Sequence, residues 1–191
     1  IDNPNLIILD ATFPSKVPME LEGKCIKNAQ YFDLKNDFSN PEARFPNTFP
    51  SIEKFEKGCR KLGIHKNSDI IVYDIDGIYT SPRVWWMLKT IGFDNVYVLN
   101  GGLTKWIADG FEVINNYKTD VATSNFKADF LKTDALRSYL FIKKHISSEK
   151  IITIDARSKG RFNNTDDDPR KELKSGAIPN SINIPYSEIL K

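Results

Sequence analysis

Asp69-Ile70-Ile71-Val72-Tyr73-Asp74-Ile75-Asp76-Gly77-Ile78-Tyr79-Thr80-Ser81-Pro82-Arg83-Val84-Trp85-Trp86-Met87-Leu88 is the stretch that decides the fold class. It opens with a short apolar, β-branched run, the pattern of a strand covered on both faces. A turn through Gly77 follows, then a helix start with Ser81 as cap and Pro82 as the first helical residue. Val84, Trp85, Leu88 and Ile91 fall on one helical face, and Gly92 ends the run. Outward from here the same order recurs. Strands are predicted at 6–10, 96–99 and 151–155. A helix begins after Pro50 with Ser51 as cap, places Ile52, Phe55, Cys59 and Leu62 on one face, and stops at Gly63. Strands alternating with helices predict an α/β fold with a mainly parallel, twisted sheet and helices on both faces.

The charges are 27 Lys+Arg against 25 Asp+Glu in 191 residues, a net +2. They are dispersed, so no basic field points to nucleic acid or an acidic membrane surface. Hydrophobic residues reach 40%, enough for a packed core, and no apolar run approaches the roughly 18 residues of a membrane span. Two cysteines, Cys25 and Cys59, are too few for a disulfide framework and fit no metal-ligand spacing. Past Gly110 the texture changes. Residues 115–134 are polar and aperiodic, and a helix is predicted from about 134 to 146, capped by Thr133, with Leu136, Tyr139 and Leu140 on its apolar side. The organisation read from this is a domain at 1–114, a linker and connecting helix at 115–146, and the opening of a second domain at 147–191.

That second opening rests on an internal repeat. Leu9-Asp10-Ala11 recurs as Ile154-Asp155-Ala156, and the stretch from Cys25 to Phe32 is paralleled by that from Ala177 to Ile184. The offset grows from 145 to 152 residues between these matches, so the second copy carries about seven extra residues. The first copy continues through two more strands and the Trp-rich helix, whereas the second is followed only as far as Lys191.

Five ordered blocks resemble the rhodanese family of two-domain sulfurtransferases, on the side of its mercaptopyruvate-using members. They are Ser81-Pro82-Arg83-Val84-Trp85-Trp86-Met87; Leu99-Asn100-Gly101-Gly102-Leu103 with Trp106; Asp155-Ala156-Arg157-Ser158 with Gly160-Arg161-Phe162; Pro169-Arg170; and Ser175-Gly176-Ala177-Ile178-Pro179. The resemblance implies a silent first domain and a second domain whose nucleophilic cysteine sits in a strand-to-helix loop. In the first copy that loop spans 73–81, with Asp74 at the cysteine's place; in the second it falls beyond Lys191, so no catalytic residue is expected here and the chain itself is expected to be inactive. Arg161 and Arg170 match the family's substrate-binding arginines, and guanidinium forks suit a carboxylate or sulfonate. The reaction implied is transfer of sulfane sulfur from 3-mercaptopyruvate or thiosulfate, through a cysteine persulfide, to cyanide, thioredoxin or a small thiol. It needs no metal or organic cofactor, no nucleic acid and no membrane, and it fits cytoplasm or mitochondrion.

Two other readings stand beside it. Asp74-Ile75-Asp76-Gly77 after a strand resembles the nucleophile motif of Mg²⁺-dependent haloacid-dehalogenase-type phosphohydrolases. A silent domain could also serve as a non-enzymatic binding or regulatory module. Cys59 is expected in the core, Cys25 in a position where the family often has His, and Trp85, Trp86 and Trp106 in packing.

Overall fold

Leu6–Asp10 forms β1, Cys25–Ile26 β2, Ala29–Tyr31 β3, Ile52–Lys61 helix α1, Asp69–Tyr73 β4 and Ser81–Thr90 α2. The chain continues through Val96–Val98 as β5, Gly102–Ala108 as α3 and Val113–Ile114 as β6. Then come Tyr139–Lys144 as α4, Ile154–Asp155 as β7, Lys159–Phe162 as α5, Ile182–Asn183 as β8 and Tyr186–Ile189 as α6. The structure, a computed structural model, describes residues 3–168 and 175–189, in two compact units, 1–133 and 134–191.

In the first unit, four strands form one parallel sheet in the order β3-β1-β4-β5. Alternation along the strands sends Leu9, Ile70 and Val72 to one face and Ile8 and Tyr73 to the other. The first face is covered by Phe55 and Cys59 of α1 and by Val84, Met87 and Leu88 of α2. The opposite face packs on Leu103, with Trp106 and Ile107 behind it on α3. Both faces are covered, which is why the strands read as continuous apolar runs. Each fully buried aliphatic contributes on the order of 1.5–3 kcal/mol.

Ser51 caps α1 as its sequence requires, its hydroxyl accepting from the Lys54 N–H at 3.2 Å. The second helix departs from expectation by one residue. Thr80 is its N-cap and Ser81 its first residue, because the Ser81 side chain is drawn to Asp74 instead. Trp85 also turns outward, 38% exposed, while Met87 takes the buried place and Trp86 is half-buried against Phe49.

Residues 115–133, read from sequence as part of a linker, run along the first unit. Lys118 donates to Ala29, Ser124 to Arg60 and Lys132 to Thr90 through backbone N–H groups, and Phe126 enters the core. The predicted helix over 134–146 is shorter. Thr133–Ala135 makes only a 3-10 turn, and α4 starts at Ser138, whose hydroxyl accepts from the Phe141 N–H. Tyr139 and Leu140, expected on an apolar face, are 67% and 60% exposed.

In the second unit β7 and β8 pair in parallel, Asp155 opposite Asn183. The first unit pairs Asp10 with Tyr31 in β1 and β3. These are the same repeat positions, so the sequence repeat is a structural one, down to strand register.

Candidate functional site

The loop from Asp74 to Ser81 wraps around one carboxylate oxygen. Asp74 Oδ2 accepts the backbone N–H groups of Tyr79, Thr80 and Ser81 and the Ser81 hydroxyl, each at 2.8 Å. Three amides converging at a helix start form an anion-holding concavity, favoured further by the helix dipole. Burial pushes the Asp74 carboxyl up, but the bonds from Ser81, Thr80 and Tyr79 outweigh it and leave the group below its ordinary range. Thr80 ties the loop to the end of β1 through a 2.6 Å bond to the Ala11 carbonyl.

The Gly101-Gly102 pair lets the start of α3 press against this loop. Leu103 N–H donates to the Asp74 carbonyl at 3.0 Å. Gly102 has φ +56°, and a Cβ there would strike the Asp74 carbonyl and the Gly77 backbone. A side chain is excluded by both conformation and space.

The phosphohydrolase reading finds no support in this geometry. Asp74 Oδ2 is taken up by four donors, its Oδ1 is buried with no partner among the described residues, and Asp76 is solvent-exposed. Neither cysteine is presented to solvent. Cys25 and Cys59 are both fully buried, and burial raises both thiols above their ordinary value, Cys59 far above. Thiolate chemistry needs the opposite shift and access to solvent.

Beneath the loop lies a second buried acid. Asp10 Oδ1 accepts the N–H and hydroxyl of Thr12 at 2.8 and 2.5 Å, and Oδ2 accepts the Tyr117 hydroxyl at 3.0 Å. Burial outweighs these bonds and raises its pKa. The sequence repeat singled out Asp10 but not this cluster, because its partner Tyr117 lies 107 positions further along the chain.

In the second unit, Arg161 stands on α5 with its Nη2 2.5 Å from Asp168 Oδ2 and its side chain 25% exposed. Arg157 faces Asp155 through Nε and Nη2, at 2.6–3.0 Å, and its fork holds that carboxyl below the ordinary range. It also donates to the Gly176 carbonyl at 2.7 Å. Arg170 lies outside the described residues.

The repeat gives Arg161 a counterpart. At the offset of 145 residues that relates Asp10 to Asp155, Arg161 corresponds to Lys16. Both sit in short helical segments, Pro14–Lys16 and Lys159–Phe162, entered from Phe13 at ψ 130° and Ser158 at ψ 153°. Lys16 Nζ lies 5.2 Å from the centroid of the Tyr79 ring, on the loop that clasps Asp74. In the first unit, then, this position reaches toward the strand-to-helix loop.

A parallel sheet sandwiched by helices, with an anion-clasping loop at a helix start, defines a rhodanese-like domain, and the family model for that domain matches residues 1–109. The chain belongs to the rhodanese family, among relatives of the 3-mercaptopyruvate sulfurtransferases. It is 32% identical over 200 residues to the 3-mercaptopyruvate sulfurtransferase of Escherichia coli K12, covering all of this chain and 69% of that protein. The thiosulfate/3-mercaptopyruvate sulfurtransferase 1, mitochondrial, of Arabidopsis thaliana is 32% identical over 210 residues, covering 97% of this chain and 55% of that protein. The crystal structure of an E. coli 3-mercaptopyruvate sulfotransferase superposes with a TM-score of 0.85 at 29% identity, covering 100% of this chain and 72% of that one. The chain thus spans from about half to about seven tenths of the length of these relatives.

Proposed function

We propose that this chain handles the sulfur donor in a sulfurtransfer reaction. A small anion, 3-mercaptopyruvate or thiosulfate, docks its acidic end on Arg161 and Arg170. A cysteine thiolate supplied from outside these 191 residues attacks the donor's sulfane sulfur. An S–S bond forms on the cysteine, and the donor leaves as sulfite, or as pyruvate after its enolate takes a proton. The persulfide then yields its outer sulfur to cyanide, thioredoxin or a small thiol.

The observation that carries this reading is the equivalence of Arg161 to Lys16. In the first unit that position approaches the loop in which Asp74 holds the anion's place. A cation there faces the place where negative charge accumulates, which suits a donor held for transfer. The first domain acts as a silent partner in this scheme, since a carboxylate in the cradle carries no sulfur. The same filled cradle and the buried cysteines favour a second reading, a non-enzymatic binding module.

The test is thiosulfate and pyruvate binding by the 191-residue chain, together with turnover. Binding that disappears in Arg161→Ala, without thiocyanate formation from thiosulfate and cyanide, is the expected result. Indifference of binding to Arg161 sinks the donor-holding role, and enzyme-like turnover sinks the external thiolate. In Arg170→Ala, pyruvate binding should fall far more than thiosulfate binding.

A further inference from the structure

Arg161 already holds an anion of this chain's own making. After α5 the chain reverses through Asn164, at φ +62°. The N–H groups of Thr165 and Asp166 both donate to the Gly160 carbonyl, at 2.9 and 3.1 Å. This return carries Asp168 back over α5, where its side chain is 4% exposed and its Oδ2 meets Arg161 Nη2. Arg157 approaches the same oxygen only at 3.8 Å, and is held independently by Asp155 and Gly176. Of these two arginines, Arg161 is therefore the closer to Asp168. Arg161 Nε, which completes the two-pronged edge with Nη2, is buried and has no acceptor among the described residues. A guanidinium edge binds a carboxylate best with both prongs engaged, so Asp168 uses half of it.

We propose that Asp168 is a resident competitor for Arg161, a tethered carboxylate that the donor's acidic group must displace, and that it thereby sets donor affinity. This rests on the reading that Arg161 receives the donor. With Asp168 in place, the arginine is neutralised and oriented when no donor is bound. A donor that offers two oxygens to Nε and Nη2 gains the prong that Asp168 leaves unused. Donors able to form that bidentate contact are favoured over anions offering a single oxygen.

The experiment titrates thiosulfate into the full 191-residue chain, following backbone amide shifts by NMR. Wild type is compared with Asp168→Asn, Asp168→Ser, Asp168→Glu, Arg161→Ala and Asp168→Asn/Arg161→Ala. Removing the competing charge should tighten binding about tenfold in the Asn and Ser variants. The Glu variant should stay close to wild type, and the double variant should lose the gain. Two neutral variants are used so that a folding failure in one, seen by circular dichroism, leaves the other as the test. Unchanged or weaker binding in a folded neutral variant, with wild-type binding still dependent on Arg161, overturns the competitor role alone. Binding that ignores Arg161 in the wild type overturns the donor-holding reading, and this proposal with it.

Discussion

Asp74 and Ser81 are joined twice: one carboxylate oxygen accepts both the backbone N–H and the hydroxyl of Ser81, each at 2.8 Å. The pair clamps the end of β4 to the start of α2, so the cradle and the helix register form together. Asp74→Asn should destabilise the first unit by about 2–4 kcal/mol, because it loses charge-assisted acceptance and turns an amide group toward N–H donors. Thermal or urea unfolding measures this; a change below about 0.5 kcal/mol would show that the clamp is dispensable.

The same group gives a pH dependence of known sign. Asp74 titrates below its ordinary value in the fold, so its contribution is present above the unfolded carboxylate pKa and is lost as pH falls through the folded one. Asp10 behaves oppositely. Burial raises its pKa despite bonds from Thr12, Tyr73 and Tyr117, so its contribution is greatest at low pH and is lost as pH rises through its folded value. Asp10→Asn should therefore be tolerated at pH 7, within about 1 kcal/mol of wild type, while Asp74→Asn is not. Unfolding of both variants at pH 4 and pH 7 checks the contrast; equal losses at pH 7 would refute it.

Gly102→Ala should cost more than an ordinary glycine substitution, about 3 kcal/mol or more, since it combines a left-handed backbone with a clash against the Asp74 carbonyl. Gly110→Ala is the internal control. Its φ is +82° but nothing lies within 4 Å, so only the conformational part, about 1 kcal/mol, should appear. Similar unfolding losses in the two variants would mean that the contact between α3 and the loop adds nothing.

The cysteines should resist an aromatic disulfide reagent in the native chain and react only on unfolding. Both are fully buried, and their raised pKa values leave little thiolate at pH 8. Cys25→Ser/Cys59→Ser should leave donor binding as it was. Rapid labelling of either residue under native conditions would reopen them as sulfur carriers.

Hydrogen exchange should separate the two units. The buried hydrophobic residues among those described all lie between Leu9 and Phe126, while Ile152, Ile154 and Ile182 are 71%, 56% and 47% exposed. Amides of β1 and β4 should exchange at least about a hundredfold more slowly than those of β7 and β8. Comparable protection across both units would contradict it.

Much of this was legible in the chain itself. Where local rules suffice, sequence and structure agree: β1 spans the predicted 6–10, Ser51 caps α1, and the repeat returns with its strand register intact. These features depend on neighbours within a few residues, or on an apolar pattern that fits only one period. The donor-holding role proposed for Arg161 came only from likeness to a family, because in isolation it resembles any surface arginine.

The sequence by itself determined the class of fold, the strand and helix order, and the fact that one supersecondary plan is used twice. The tertiary structure decided the rest. It drew Ser81 from the cap position to Asp74, turned Trp85 out and Met87 in, laid 115–133 along the first unit, and brought Asp168 back to Arg161. Each of these is settled by a partner brought close by the chain's turns or by competition for a limited buried surface. Periodicity and propensity describe a residue's own segment, and neither records which distant carboxylate or carbonyl will be within 3 Å of it once the core has closed.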